Sequence, residues 1–187
     1  MNSNAAGIVR RTFLALLACA VACDASASPG SLATTSTLLP DGRTLVVGLR
    51  NGGKGDVRVE NGRGAAASPS ALDVPDFVAR SRHTATVMPD GRVLIWGGVD
   101  ATGRIEPEGA WFDPVANRFS AAPEIPLVPR AGHTATVLTD GRLLVTGGSN
   151  SVLGAFGEAE LWDSRTGRSE LLASELDPPR SGHSATL

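Results

Sequence analysis

From Thr34 onward the chain alternates short apolar runs with clusters of Gly, Pro and Asp, and the same alternation keeps returning. Residues 83–98 read HTATVMPDGRVLIWGG and residues 133–148 read HTATVLTDGRLLVTGG. A diverged copy, TTSTLLPDGRTLVVG, covers 34–48, and HSATL opens a fourth copy at His183. The copies begin 49, 50 and 50 residues apart. A period of that length belongs to stacked supersecondary units, each too small to bury its own apolar surface.

Within one unit the pattern predicts strands. In 83–88 polar and apolar positions alternate, with His83, Ala85 and Val87 on one side and Thr84, Thr86 and Met88 on the other. Pro89-Asp90-Gly91-Arg92 predicts a hairpin turn, read as a tight primed turn because glycine accepts positive φ. Val93 to Trp96 is apolar at every position, which requires cover on both faces of the sheet. Gly97-Gly98 ends that strand. After a loop of variable sequence, 108–113 predicts a third strand and Arg118-Phe119-Ser120 the start of a fourth. The next unit repeats this without net insertion: Arg180 answers Arg130, Glu158 answers Glu108 and Asp163 answers Asp113. Four strands per unit, each sheet covered on both faces, predict an all-β protein built as the blades of a β-propeller.

The paired glycines after an apolar strand, the acidic and aromatic third strand (108–112 and 158–162) and Phe119 on the fourth strand resemble the kelch repeat. The R-x-G-H-T-A-T opening with D-G-R and G-G is similar to bacterial kelch proteins and to the propeller domain of the galactose oxidase group. The resemblance covers about 34–187 and implies a kelch-type β-propeller. The first copy departs from the pattern, with Thr34 for the histidine, Leu49 for the second glycine and no clear aromatic third strand. The third has Ser169 in place of the aromatic. With about three four-stranded blades plus one strand in the sequence, the expectation is an incomplete propeller, with further blades or self-association covering its open face.

Composition adds a location. Residues 1–11 are polar and end in Arg10-Arg11, 12–22 are apolar, and small residues follow, which is the order of a secretory signal. The alternative is a buried N-terminal helix. Two exits are open: Ala25-Ser26-Ala27 is an A-x-A cleavage site giving a signal of 1–27, and Ala20-Val21-Ala22-Cys23 is similar to a bacterial lipobox giving a signal of 1–23 with Cys23 acylated. Leu16-Leu17-Ala18-Cys19 is a second, shorter candidate. Residues 24–33 then form a tether, and the domain occupies 34–187. Both cysteines lie in the export segment, so the mature body has no disulfide to form. Net charge is −2, which provides no basic field for nucleic acid.

Candidate chemistry is sparse. His83, His133 and His183 recur at one position, where they either satisfy hydrogen bonds at strand starts or converge on a metal. Equivalent places around a ring stay too far apart for bonds of about 2 Å, which favours the hydrogen bonds. Arg80, Arg130 and Arg180 read as loop or inter-blade anchors, Asp41, Asp90 and Asp140 as turn residues, and Trp96, Trp111 and Trp162 as core. Gly52-Gly53-Lys54-Gly55 lacks the full phosphate-loop spacing and reads as a surface turn. No catalytic, cofactor or metal residue is assigned, and no cofactor is expected. The variable stretches 49–56, 99–107 and 149–157 are the expected recognition face, since function gathers on loops held by a rigid frame. The leading expectation is an exported, non-catalytic binding or scaffold module for a protein or carbohydrate ligand, at the bacterial cell envelope or beyond it. The other is a fragment of a galactose oxidase-like copper enzyme. That resemblance implies tyrosine ligands and a tyrosine–cysteine crosslink, and this chain has no Tyr and no Cys outside the export segment.

Overall fold

Strand-forming runs and turn residues alternate so regularly that the chain folds as consecutive antiparallel meanders. The computed structural model describes residues 34–50, 53–61, 75, 79–122 and 125–185. The expected export segment with Cys19 and Cys23, the expected tether, and Gly52 lie outside the described residues. Among the described residues every regular element is a strand.

The first sheet contains β1 (Thr35–Leu38), β2 (Thr44–Leu49) and β3 (Gly55–Glu60). The second contains β4 (Thr84–Val87), β5 (Val93–Trp96), β6 (Ala110–Asp113) and β7 (Arg118–Ala121) in that order. In the third unit β8 (Thr134–Val137) and β9 (Leu143–Thr146) are followed by a small hairpin of β10 (Ser149–Asn150) and β11 (Gly154–Ala155). Its sheet is completed by β12 (Glu158–Asp163) and β13 (Arg168–Glu175). The first strands of successive sheets lie side by side, β1 against β4 and β4 against β8.

The continuous apolar strand behaves as its sequence demands. Val93 and Ile95 point into a cluster with Leu39, Leu45 and Val47 of the first sheet. Leu94 and Trp96 point the opposite way, into a cluster with Leu143, Val145 and Trp162 of the third. All four residues of β5 are buried, because sheets cover both of its faces. Each fully buried Val, Leu or Ile contributes about 1.5–3 kcal/mol, so these two seams hold the stack.

One local expectation is corrected. The Asp-Gly turns are not primed turns. Gly42, Gly91 and Gly141 alone take positive φ, near 85–88°, and Gly91 N donates to Met88 O while Met88 N donates to Arg92 O. That is a three-residue loop with glycine in the left-handed region. In two of these turns Pro40 and Pro89 precede Asp-Gly, where a two-residue primed turn would need that residue's N–H for its closing pair, and proline has none; Thr139 holds the place in the third, which makes the same bonds. The third strand of the first unit, GDVRVE, has no aromatic, as its sequence reads, and Val57 and Val59 pack against the same cluster that Phe112 and Phe119 occupy.

Candidate functional site

The recurring histidines lie where one unit meets the next. His83 Nε2 meets Thr35 Oγ1 at 2.7 Å, His133 Nε2 meets Thr84 Oγ1 at 3.0 Å, and His183 Nε2 meets Thr134 Oγ1 at 3.3 Å. Each contact joins a histidine to the first strand of the preceding sheet, so the strand-start hydrogen bond expected from sequence crosses a seam. His83 and His133 are 4% and 6% exposed. Burial, reinforced by Arg80 and Arg130 respectively, pushes both imidazoles down to about 3, so they are neutral at ordinary pH. Burial also lowers His183, to an extent that stays smaller at its half-buried position.

The paired glycines are the other half of the seam. Gly98 N donates to Arg130 O and Gly148 N donates to Arg180 O, both at 2.9 Å. Gly97 has φ 65°, and a Cβ there would meet Arg130 O and lie 2.6 Å from His133 Cε1. Gly147 stands in the same relation to Arg180 O and His183. Glycine is needed at this position because the next unit's backbone and histidine occupy the space of a side chain. Trp96 completes the second seam, its ring edge-on to His133 at 4.9 Å between centroids.

The recurrent arginines anchor their own units. Arg80, with no exposed surface, donates through Nη1 to Gly97 O at 3.2 Å and Glu108 O at 2.7 Å. Burial lowers it to about 10, against the opposing pull of Glu106 and Glu108. Arg130 donates to Gly147 O at 3.1 Å and to Glu160 Oε1 at 2.8 Å, with its guanidinium 4.2 Å over the Phe156 ring. At the second and third seams the carbonyls of Arg130 and Arg180 accept from the glycines of the preceding unit. Sequence reasoning missed Glu160. Its signal was a carboxylate at an inward strand position, where the preceding unit has Ala110.

The remaining candidates have structural partners. Asp41, Asp90 and Asp140 each accept from the backbone N–H and the guanidinium of the arginine two residues on. Trp96, Trp111 and Trp162 all belong to the cluster between the second and third sheets, with Trp111 and Trp162 6.4 Å apart and Arg92 over Trp111. Among the described residues no three of His, Cys, Asp and Glu come together as a metal set.

The variable stretches share a frame that their sequences conceal. Each follows the second strand of its sheet and turns back through a glycine with positive φ: Gly53 at 75°, Gly103 at 84° and Gly154 at 77°. Asp100 Oδ1 accepts from Thr102 N and Arg104 N, and Asn150 Oδ1 from Val152 N and Leu153 N, which fixes both loops. Their bases are tied to the lead-in of the same unit, Ser81 to Val99 and Ala131 to Ser149. Because all three leave the same end of their sheets, they project together. Gly53 and Ala101 already abut, since a Cβ on the former would lie 2.8 Å from the latter's. Their tips differ in chemistry: Lys54 in the first, Ala101-Thr102 in the second, and Val152-Leu153, 86% and 64% exposed, in the third. Lys54 is part of a hairpin turn, as the surface-turn reading of that Gly-rich run requires.

No protein-family model matches the chain, and no curated protein matches it.

Proposed function

We propose that these sheets are blades of a kelch-type β-propeller serving as an exported, non-catalytic binding module, with the three hairpin tips as its recognition face. One observation carries the reading: the hairpin frame repeats while its tips change, and the recurring His, Arg, Asp and Trp side chains are engaged in holding the frame. A rigid repeated scaffold with variable, preformed loops is the arrangement binding proteins use. The side-by-side first strands and the sequential order within each sheet support the radial packing of a propeller. The ligand is a protein or a carbohydrate. The module reaches the bacterial envelope through the signal ending at Ala22, with Cys23 as the lipid anchor.

The test is to screen the processed chain against protein and glycan libraries beside a variant carrying Ala101→Gly, Thr102→Ser, Val152→Ser and Leu153→Ser. Binding should be lost while the thermal melt stays in place; retained binding would defeat the assignment of the face. Intact-mass analysis of the membrane fraction should give an acylated N-terminus at Cys23, and an unprocessed Met1 would defeat the export reading.

A further inference from the structure

Three lead-in segments, 80–82, 130–132 and 180–182, precede the recurring histidines. Ser81 bridges to Val99 and Ala131 to Ser149, so the first two reach their first strands at the end of the sheet from which the hairpins project. The last residues of the three are joined in a row, with Gly132 N donating to Arg82 O at 2.8 Å and Gly182 N to Gly132 O at 2.7 Å. All three have left-handed backbone, at φ 57°, 67° and 70°. Two are glycine, which takes that conformation freely. The third, Arg82, takes it against the crowding of its Cβ on the backbone.

Glycine serves the frame at this position, so what the arginine adds is its side chain. Arg82 is exposed, and among the described residues no ion pair joins it to a carboxylate. Its unit has a sheet on either side, β1 and β8 both lying against β4, so this exposure does not belong to an end of the stack. The guanidinium extends over the next lead-in, where Nη2 lies 3.0 Å from the place a Cβ on Gly132 would take. The carboxylates of the neighbouring hairpin are engaged elsewhere: Asp100 accepts from Thr102 N and Arg104 N within its own loop, and Glu106 faces Arg80 at 3.7 Å.

We infer that Arg82 grips a carboxylate of an acidic protein segment bound across the hairpin tips. This rests on the binding reading above and names its ligand. A guanidinium presents a planar fork of N–H donors that matches the two oxygens of a carboxylate. Gly132, beneath the Arg82 guanidinium, adjoins Ala131 at the base of the third hairpin, whose tip exposes Val152 and Leu153, so a cation and an apolar contact share one face. Every aromatic ring among the described residues is buried. That leaves no ring to stack on a sugar and favours a protein segment over an acidic glycan.

Random dodecapeptides displayed on phage and selected on the chain should be enriched in Asp and Glu over the starting library. Arg82→Gly should fold with a urea midpoint no lower than the wild type's, and selection on it should lose the acidic excess. A peptide from the wild-type pool, followed by fluorescence polarisation, should bind this variant about tenfold more weakly. Arg82→Gln should give the same loss. Arg118→Gln, which removes an exposed arginine at the opposite end of the second sheet, should leave the excess in place. Enrichment without an acidic excess, or the same excess from both Arg82 variants, would overturn this assignment and leave the binding face standing. No enrichment of any peptide would overturn it together with the reading it rests on. A lower midpoint in Arg82→Gly would make the arginine part of the frame and overturn it too, as would Arg82-dependent binding of oligogalacturonate in place of peptides.

Discussion

A histidine buried neutral at a seam makes stability depend on acidity. His83 and His133 titrate near 3 in the folded chain against 6.5 for the free side chain. Between those values the unfolded chain binds more protons, so stability is intact above about pH 6.5 and declines as pH falls toward 3. The lowered carboxylates, Asp41 and Asp163 among them, add to the loss only further down, below their ordinary value of 3.8. Melting temperature should therefore drop between about pH 7 and pH 5, before carboxylates titrate. His133→Gln, which keeps a polar group and removes the titration, should remove about half of that slope. A melt that is flat over this interval would show that the seams do not exclude protons. The glycine opposite the histidine gives a second test. Gly97→Ala faces a left-handed backbone, costing about 1–2 kcal/mol by itself, and a collision with Arg130 O and His133. A fall in denaturation midpoint well beyond that of Gly103→Ala, which has positive φ but open space around it, would separate the collision from the backbone strain.

At the scale of elements, the turns invite an improvement. Pro40 and Pro89 occupy the first central position of two Asp-Gly turns, and Thr139 holds the same place in the third. Thr139 is exposed and its turn repeats the others' bonds, Gly141 N to Leu138 O and Leu138 N to Arg142 O. Thr139→Pro should stabilise the chain by about 0.4–1 kcal/mol by restricting the unfolded state; a destabilisation in urea titration would show that the third turn differs in backbone from the first two. These strands were legible in sequence to the degree that burial alone dictated them. Val93 to Trp96 announced cover on two faces, and the alternation of 83–88 placed Val87 and Met88 in different clusters as read. The turn class was misread because Asp-Gly was weighed without the proline before it. In the third strand of the first unit Val57 and Val59 fill the place that aromatics take in the second. The common hairpin frame was hidden because it depends on one glycine φ, joined by an Asx side chain in the second and third units, and the intervening residues are free to vary.

Across the whole molecule, the seams should make three sheets unfold as one. All three tryptophans lie between the second and third sheets, whereas Leu45 lies at the first seam. Leu45→Ala should cost about 2–5 kcal/mol, and if neighbouring sheets are coupled it will move the tryptophan fluorescence transition as far as the circular dichroism transition. A fluorescence midpoint left in place would mean that the first sheet melts alone. The polar seam has one more consequence. His to Thr, and glycine N–H to arginine carbonyl, are the same partners at the second seam and the third, while the arginine side chains bind inside their own unit and travel with it. Deleting or duplicating the stretch from one such histidine to the next therefore leaves the neighbouring hydrogen bonds with the partners they already had. Copy number in a gene of this kind can drift through unequal recombination without compensating changes at these contacts.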